Sequence, residues 1–119
     1  MANIKQAMDD LMTCDGAMCA ALVDSGSGMI LGQIGSGVDL EVAAAGNTEV
    51  VRAKMRTMRD LGLNDVIEDM LITLGRQYHI IRPMQKKEGL FVYLVLDKAK
   101  SNLAMARRKA MDVEQNLAV

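Results

Sequence analysis

Ile4, Ala7, Met8, Leu11 and Met12 recur at the i, i+3, i+4, i+7, i+8 spacing of one helical face, opposite Lys5, Asp9 and Asp10. A first amphipathic helix is predicted there. Ala17 to Asp24 is then apolar at odd and even positions alike, Ser25-Gly26-Ser27-Gly28 follows, and Met29 to Ile34 is again rich in apolar residues. Closely spaced glycines supply the positive φ of tight turns, so this segment reads as a hairpin ended by Gly35, Ser36 and Gly37. From Asp39 to Leu61 the period turns helical, through Leu40, Ala43, Ala44, Val50, Val51, Met55, Met58 and Leu61, with Asp39 placed to cap the start. Gly46 inside that stretch marks either a break before Asn47 or Thr48 or a close helix-to-helix approach, and we expect the latter. After Gly62 and Asn64 come three extended runs, Val66 to Leu74, Gln77 to Pro83 and Leu90 to Leu96, separated by Gly75 and by Gln85-Lys86-Lys87-Glu88-Gly89. A last helix from Ser101 is traced by Leu103, Ala106, Ala110, Val113 and Leu117.

The order helix, two strands, helix, three strands, helix implies one α+β domain over residues 1–119. Burial fixes the sheet further. A strand covered on both faces is apolar throughout, and only the first run (Met18 to Val23) and the last (Leu90 to Val95) qualify. With sequential hairpins, placing both at the centre forces the order 2-1-5-4-3, with helices on both faces. Strand 3 then becomes an edge. Ile67 and Leu71 share a face with Asp65, Asp69 and Thr73, while Met70, Ile72 and Leu74 crowd the other. An edge this apolar invites another strand, so two copies are expected to pair strand 3 to strand 3 in an isologous dimer.

Composition narrows the chemistry. The chain has 119 residues, half of them hydrophobic, with a net charge of −1, which argues against disorder and against a dedicated nucleic-acid binder. No apolar run approaches a membrane span, and Met1 to Gln6 lack the basic flank and apolar core of a secretory signal, so a cytoplasmic protein is expected. Cys14 and Cys19 read as small buried hydrophobes, and with His79 they are too few for a structural zinc shell. Methionine is unusually common, at 11 residues, which suits an irregular core or an adaptable partner groove.

Catalytic arrangements do not emerge. Gly26-Ser27-Gly28 with Gly32 precedes a strand, whereas phosphate-binding loops open a helix, and no Lys-Ser or Lys-Thr ends it. His79 lies mid-strand with no acidic residue in local register, so no nucleophile triad is supported. Asp9, Asp10, Asp15, Glu68, Asp69 and Glu114 read as solvated carboxylates. Arg52, Arg56 and Arg59 align on one face of the second helix beside Val51, Met55 and Met58. They form either a solvated outer face or a mixed Met and Arg surface of the kind enriched at interfaces. Arg107, Arg108 and Lys109 invite the same two readings.

Specific residues resemble a known family. Gly16-Ala17-Met18-Cys19-Ala20-Ala21-Leu22-Val23-Asp24, the Gly-rich turn and Asp39 through Gly46 closely resemble the first half of a roadblock/dynein light-chain domain. Asp60-Leu61-Gly62, Tyr78-His79-Ile80-Ile81-Arg82-Pro83, Leu96-Asp97, Ser101-Asn102-Leu103-Ala104 and Arg107 look like its later landmarks, so the similarity spans nearly the whole chain. The resemblance implies a profilin-like three-layer fold: a five-stranded antiparallel sheet in order 2-1-5-4-3, one helix on one face and two on the other. It also implies dimerisation through helix 2 and strand 3. The expected interface comprises Ala43, Gly46, Val50, Val51, Lys54, Met55 and Met58 with Met70, Leu71 and Ile72. Members of the family are typically non-enzymatic adaptors, among them dynein light chains, scaffolds for small GTPases and bacterial partners of Ras-like GTPases. No catalytic arginine is carried over, no metal or cofactor is expected, and Arg52, Arg56 and Arg59 are the candidate partner-binding residues.

Two functions from different classes follow. One is a homodimeric module that binds or regulates a small Ras-like GTPase or scaffolds a complex. The other is a small-molecule or redox sensor with a pocket between sheet and helices, lined by Met12, Cys14, Cys19 and Met29. An enzyme needs a site the sequence does not display.

Overall fold

A computed structural model describes residues 2–119; Met1 lies outside the described residues. The elements in chain order are α1 (Ile4–Leu11), β1 (Ala17–Asp24), β2 (Met29–Gly35), α2 (Leu40–Asp60), β3 (Met70–Thr73), β4 (Gln77–Pro83), β5 (Leu90–Asp97) and α3 (Leu103–Asn116). All three helices start on a side-chain cap that satisfies otherwise orphaned backbone amides. Asn3 and Gln6 form a reciprocal capping box on α1, Asp39 accepts from the amides of Glu41 and Val42, and Asn102 accepts from that of Met105. Gly28 turns the β1–β2 hairpin at φ +77, and Gly32 lets Ile4 of α1 approach β2 so closely that a Cβ there would collide with its Cγ2.

The five strands form one antiparallel sheet in the order β2-β1-β5-β4-β3, as the double-burial argument requires. β1 and β5 lie side by side at its centre and are buried almost end to end. Because side chains alternate across a strand, these two build both cores. Ala20, Leu22, Leu94 and Leu96 pack with Ala7, Met8 and Leu11 of α1 and with Ala106, Ala110 and Val113 of α3. Cys19, Ala21, Val23, Phe91, Tyr93 and Val95 pack with Leu40, Ala44 and Val51 of α2. One helix therefore covers one face and two cover the other.

Strand 3 is shorter than its sequence suggests. The apolar run from Val66 predicts pairing through Leu74, yet the ladder with β4 holds only from Met70 opposite Ile81 to Thr73 opposite Tyr78. Continuing past Met70 would bring the chain against Pro83, which has no amide to donate. Asp69 is meanwhile drawn to α3, where Arg107 grips it with two hydrogen bonds of 2.9 and 3.0 Å. Glu114 is a second correction. It is 1% exposed rather than solvated, and its Oε1 accepts from Arg82 Nε at 3.2 Å, an ion pair buried between α3 and β4.

Candidate functional site

The two sheet faces are unequally covered. Across one, α1 lies on β1 and β2 while α3 lies on β4 and β5. Across the other, α2 packs on β1 and β2. That cover ends at β4, whose Ile81 is buried with the α2 core, and the outer β4–β3 part of the face has no helix over it among the described residues. It presents Met70 and Ile72 of β3 and His79 of β4, all half-buried, and α2 flanks it with Val50 and Met55, which are 38% and 39% exposed. Apolar side chains left half in water beside an open sheet edge are the usual mark of an association surface.

Methionines make a groove along the boundary. Lys54, Met58 and Met70, all expected at an interface, line one cleft of about 580 Å³ with Leu63, Val66 and Ile67. It continues into a second of about 480 Å³, where Met55, Met58, Arg59, Leu63 and Val66 meet Pro83 and Met84. Flexible thioethers suit a surface that must repack on binding. Other expected residues lie elsewhere. Val51 is in the chain's own core at 2% exposure, Ala43 is half-buried beside it, and Leu71 points to the opposite face. Gly46 sits within an unbroken helix, and a Cβ there would meet nothing within 4 Å, so the chain itself makes no close approach at that position.

The arginines of α2 do not act as one group. Arg52 is exposed with Glu49 3.9 Å away, Arg56 is exposed, and Arg59 lines the groove. Arg107 is fixed by Asp69, whose hydrogen bonds and charge raise its pKa.

A polar chain runs beneath the bare half-face. The Tyr93 hydroxyl and His79 Nδ1 are 2.9 Å apart, and His79 Nε2 and Gln77 Oε1 are 2.8 Å apart. The Gln77 carbonyl oxygen only accepts, so Nε2 carries the proton and Nδ1 accepts from Tyr93. Burial pushes the Tyr93 phenol up to about 12, with the Asn47 side chain partly opposing it, so Tyr93 keeps its proton. Burial also lowers the pKa of His79, which favours the neutral ring this arrangement requires. His79 lies mid-strand, as its sequence context predicts, and is half-buried. The network depends on the β4–β5 register and has no local signature.

The proposed sensor pocket does not assemble. Cys14 packs on the α1/α3 core, Cys19 is buried on the α2 face, and Met29 is 66% exposed. Burial raises both thiols, which disfavours the reactive thiolate. Among the described residues no three or more His, Cys, Asp or Glu side chains gather as metal ligands, and no helix is long and apolar enough to cross a membrane.

No protein-family model matches the sequence, and no curated protein matches it either. Solved structures do. MglB of Myxococcus xanthus superposes with a TM-score of 0.81 at 16% identity, covering 94% of this chain and 89% of that one. A Roadblock/LC7 domain from Streptomyces avermitilis also gives 0.81, at 11% identity over 96% and 93% of the two chains. A structure described as MglB with tetrameric arrangement gives 0.81 at 15% identity, over 94% and 82%. The chain has the roadblock fold.

Proposed function

We propose that this roadblock-fold chain is a cytoplasmic, non-enzymatic homodimeric adaptor that binds and regulates a small Ras-like GTPase or scaffolds a complex around one. The half-covered sheet face is the observation that carries the reading. A second copy related by a two-fold axis brings its own α2 over the bare β4–β3 half and its own β3 to the open edge, so both deficits are met at once. Met55, Met58, Met70, Ile72 and Val50 then lose water from a groove already shaped by apolar side chains. Gly46, with open space beside it, gives the partner helix room to approach.

The GTPase is supported by the resemblance to roadblock domains and by the shared fold with proteins named MglB. Arg52, Arg56 and Arg59 are the proposed docking residues, all three exposed on α2. The test is capture of partners from native lysate on the tagged chain, once with a non-hydrolysable GTP analogue and once with GDP. A small GTPase enriched in one nucleotide state supports the regulator. Recovery of none in either state contradicts it.

A further inference from the structure

His79 is the chain's single histidine, and it sits on the bare half-face that the proposed dimer covers. The elements packed around it bring few charges. β4 supplies Gln77 at Nε2, β5 supplies Tyr93 at Nδ1 with Val95 as its ladder partner, β3 supplies Ile72 opposite, and α2 brings Asn47 to the Tyr93 hydroxyl. The titratable group acting on Tyr93 from β1 is Cys19, a buried thiol. No carboxylate faces the ring to stabilise a cation, and desolvation alone accounts for its shift. Protonation puts a hydrogen on Nδ1, where the Tyr93 O–H already points, and leaves a half-buried charge with no anion beside it, next to Ile72.

We propose that His79 makes self-association acid-sensitive: the ring must be neutral for a second copy to seat on the β4–β3 half-face, and its protonation releases that copy. The inference rests on the dimer reading above. The direction follows from proton linkage. The residues expected at the interface of a second copy include no carboxylate, so covering His79 removes water without adding an anion beside it, and the separated chains hold the proton more tightly than the dimer does. Association is then strongest above the ordinary histidine value of 6.5 and weakens as the pH falls below it.

Sedimentation equilibrium from about pH 7.5 to about pH 5, with circular dichroism to confirm folding at each pH, reads this directly. Two histidines, one per subunit, should raise the dimer Kd roughly tenfold over that range. H79Q stays neutral and retains a group able to bond Tyr93, so its Kd should be flat. The imidazole signal gives a second readout without a variant, because one histidine gives one titration curve. Its midpoint should lie lower in concentrated, dimeric wild-type samples than in dilute ones. A dimer whose Kd is independent of pH, or an imidazole midpoint independent of concentration, overturns the inference and leaves the dimer standing. A monomer at every pH overturns both.

Discussion

The two faces of the sheet share strands yet are finished differently. On the α1/α3 face, two helices cover the width from β2 to β4, and its buried charges pair within the chain, Arg82 with Glu114. On the α2 face, a 21-residue helix packs on β1 and β2 and shares a core with β5 and Ile81 of β4 but stops short of β3, and the groove beside it keeps methionines half in water. The first face is complete within one chain. The second is left partly uncovered, and under the proposed function that difference separates residues that hold the fold from residues that recognise a partner.

If the contrast is right, the largest stability effect comes from the closed face. R82A leaves the Glu114 carboxylate buried without its cation, and Oε2 of that group already has no hydrogen-bond partner. A loss of about 3–5 kcal/mol is expected in urea unfolding with an unchanged m-value. Replacing the pair together, as R82M with E114L, should restore most of it. On the half-covered face the order reverses. M55E should leave the monomer's unfolding midpoint nearly unchanged, since Met55 is 39% exposed, yet raise the dimer Kd about a hundredfold or more by burying an unpaired charge. Retention of the dimer mass in M55E would remove α2 from the interface.

Smaller effects sharpen the boundary. G46A should stabilise the isolated chain by about 1 kcal/mol, because it improves helix propensity where a methyl meets open space. The same methyl should weaken the dimer if a partner helix approaches there. Opposite signs in the two assays support a close approach at Gly46, and stabilisation in both places the contact elsewhere. Smallest for stability is the triple change of Arg52, Arg56 and Arg59 to Glu, expected to stay within about 0.5 kcal/mol in unfolding while reducing GTPase binding. Unchanged binding would leave those arginines as solvent-facing charges.

Most of the architecture was legible in the sequence because burial writes itself into apolar pattern. The unbroken apolar runs of β1 and β5 placed both at the centre, and the hairpins then dictated the order of the other three. Asp39 marked its helix by a local rule. The site was less legible, since periodicity gives a stripe and not the depth of each member. Val50, Val51 and Met55 belong to one apolar pattern, but only Val51 faces the sheet. The early end of the β3 ladder follows from Pro83 and Arg107, both distant in sequence, and the solvated reading of Glu114 failed because its cation is 32 residues away. The His79–Tyr93 contact needed a strand register before it existed at all.

Sedimentation equilibrium of the full chain at micromolar concentration and near-neutral pH tests the central claim most directly. The account predicts a species of twice the 12.9 kDa chain mass. A single species at 12.9 kDa throughout would contradict it, leaving the half-covered face without the second copy on which the proposed function depends.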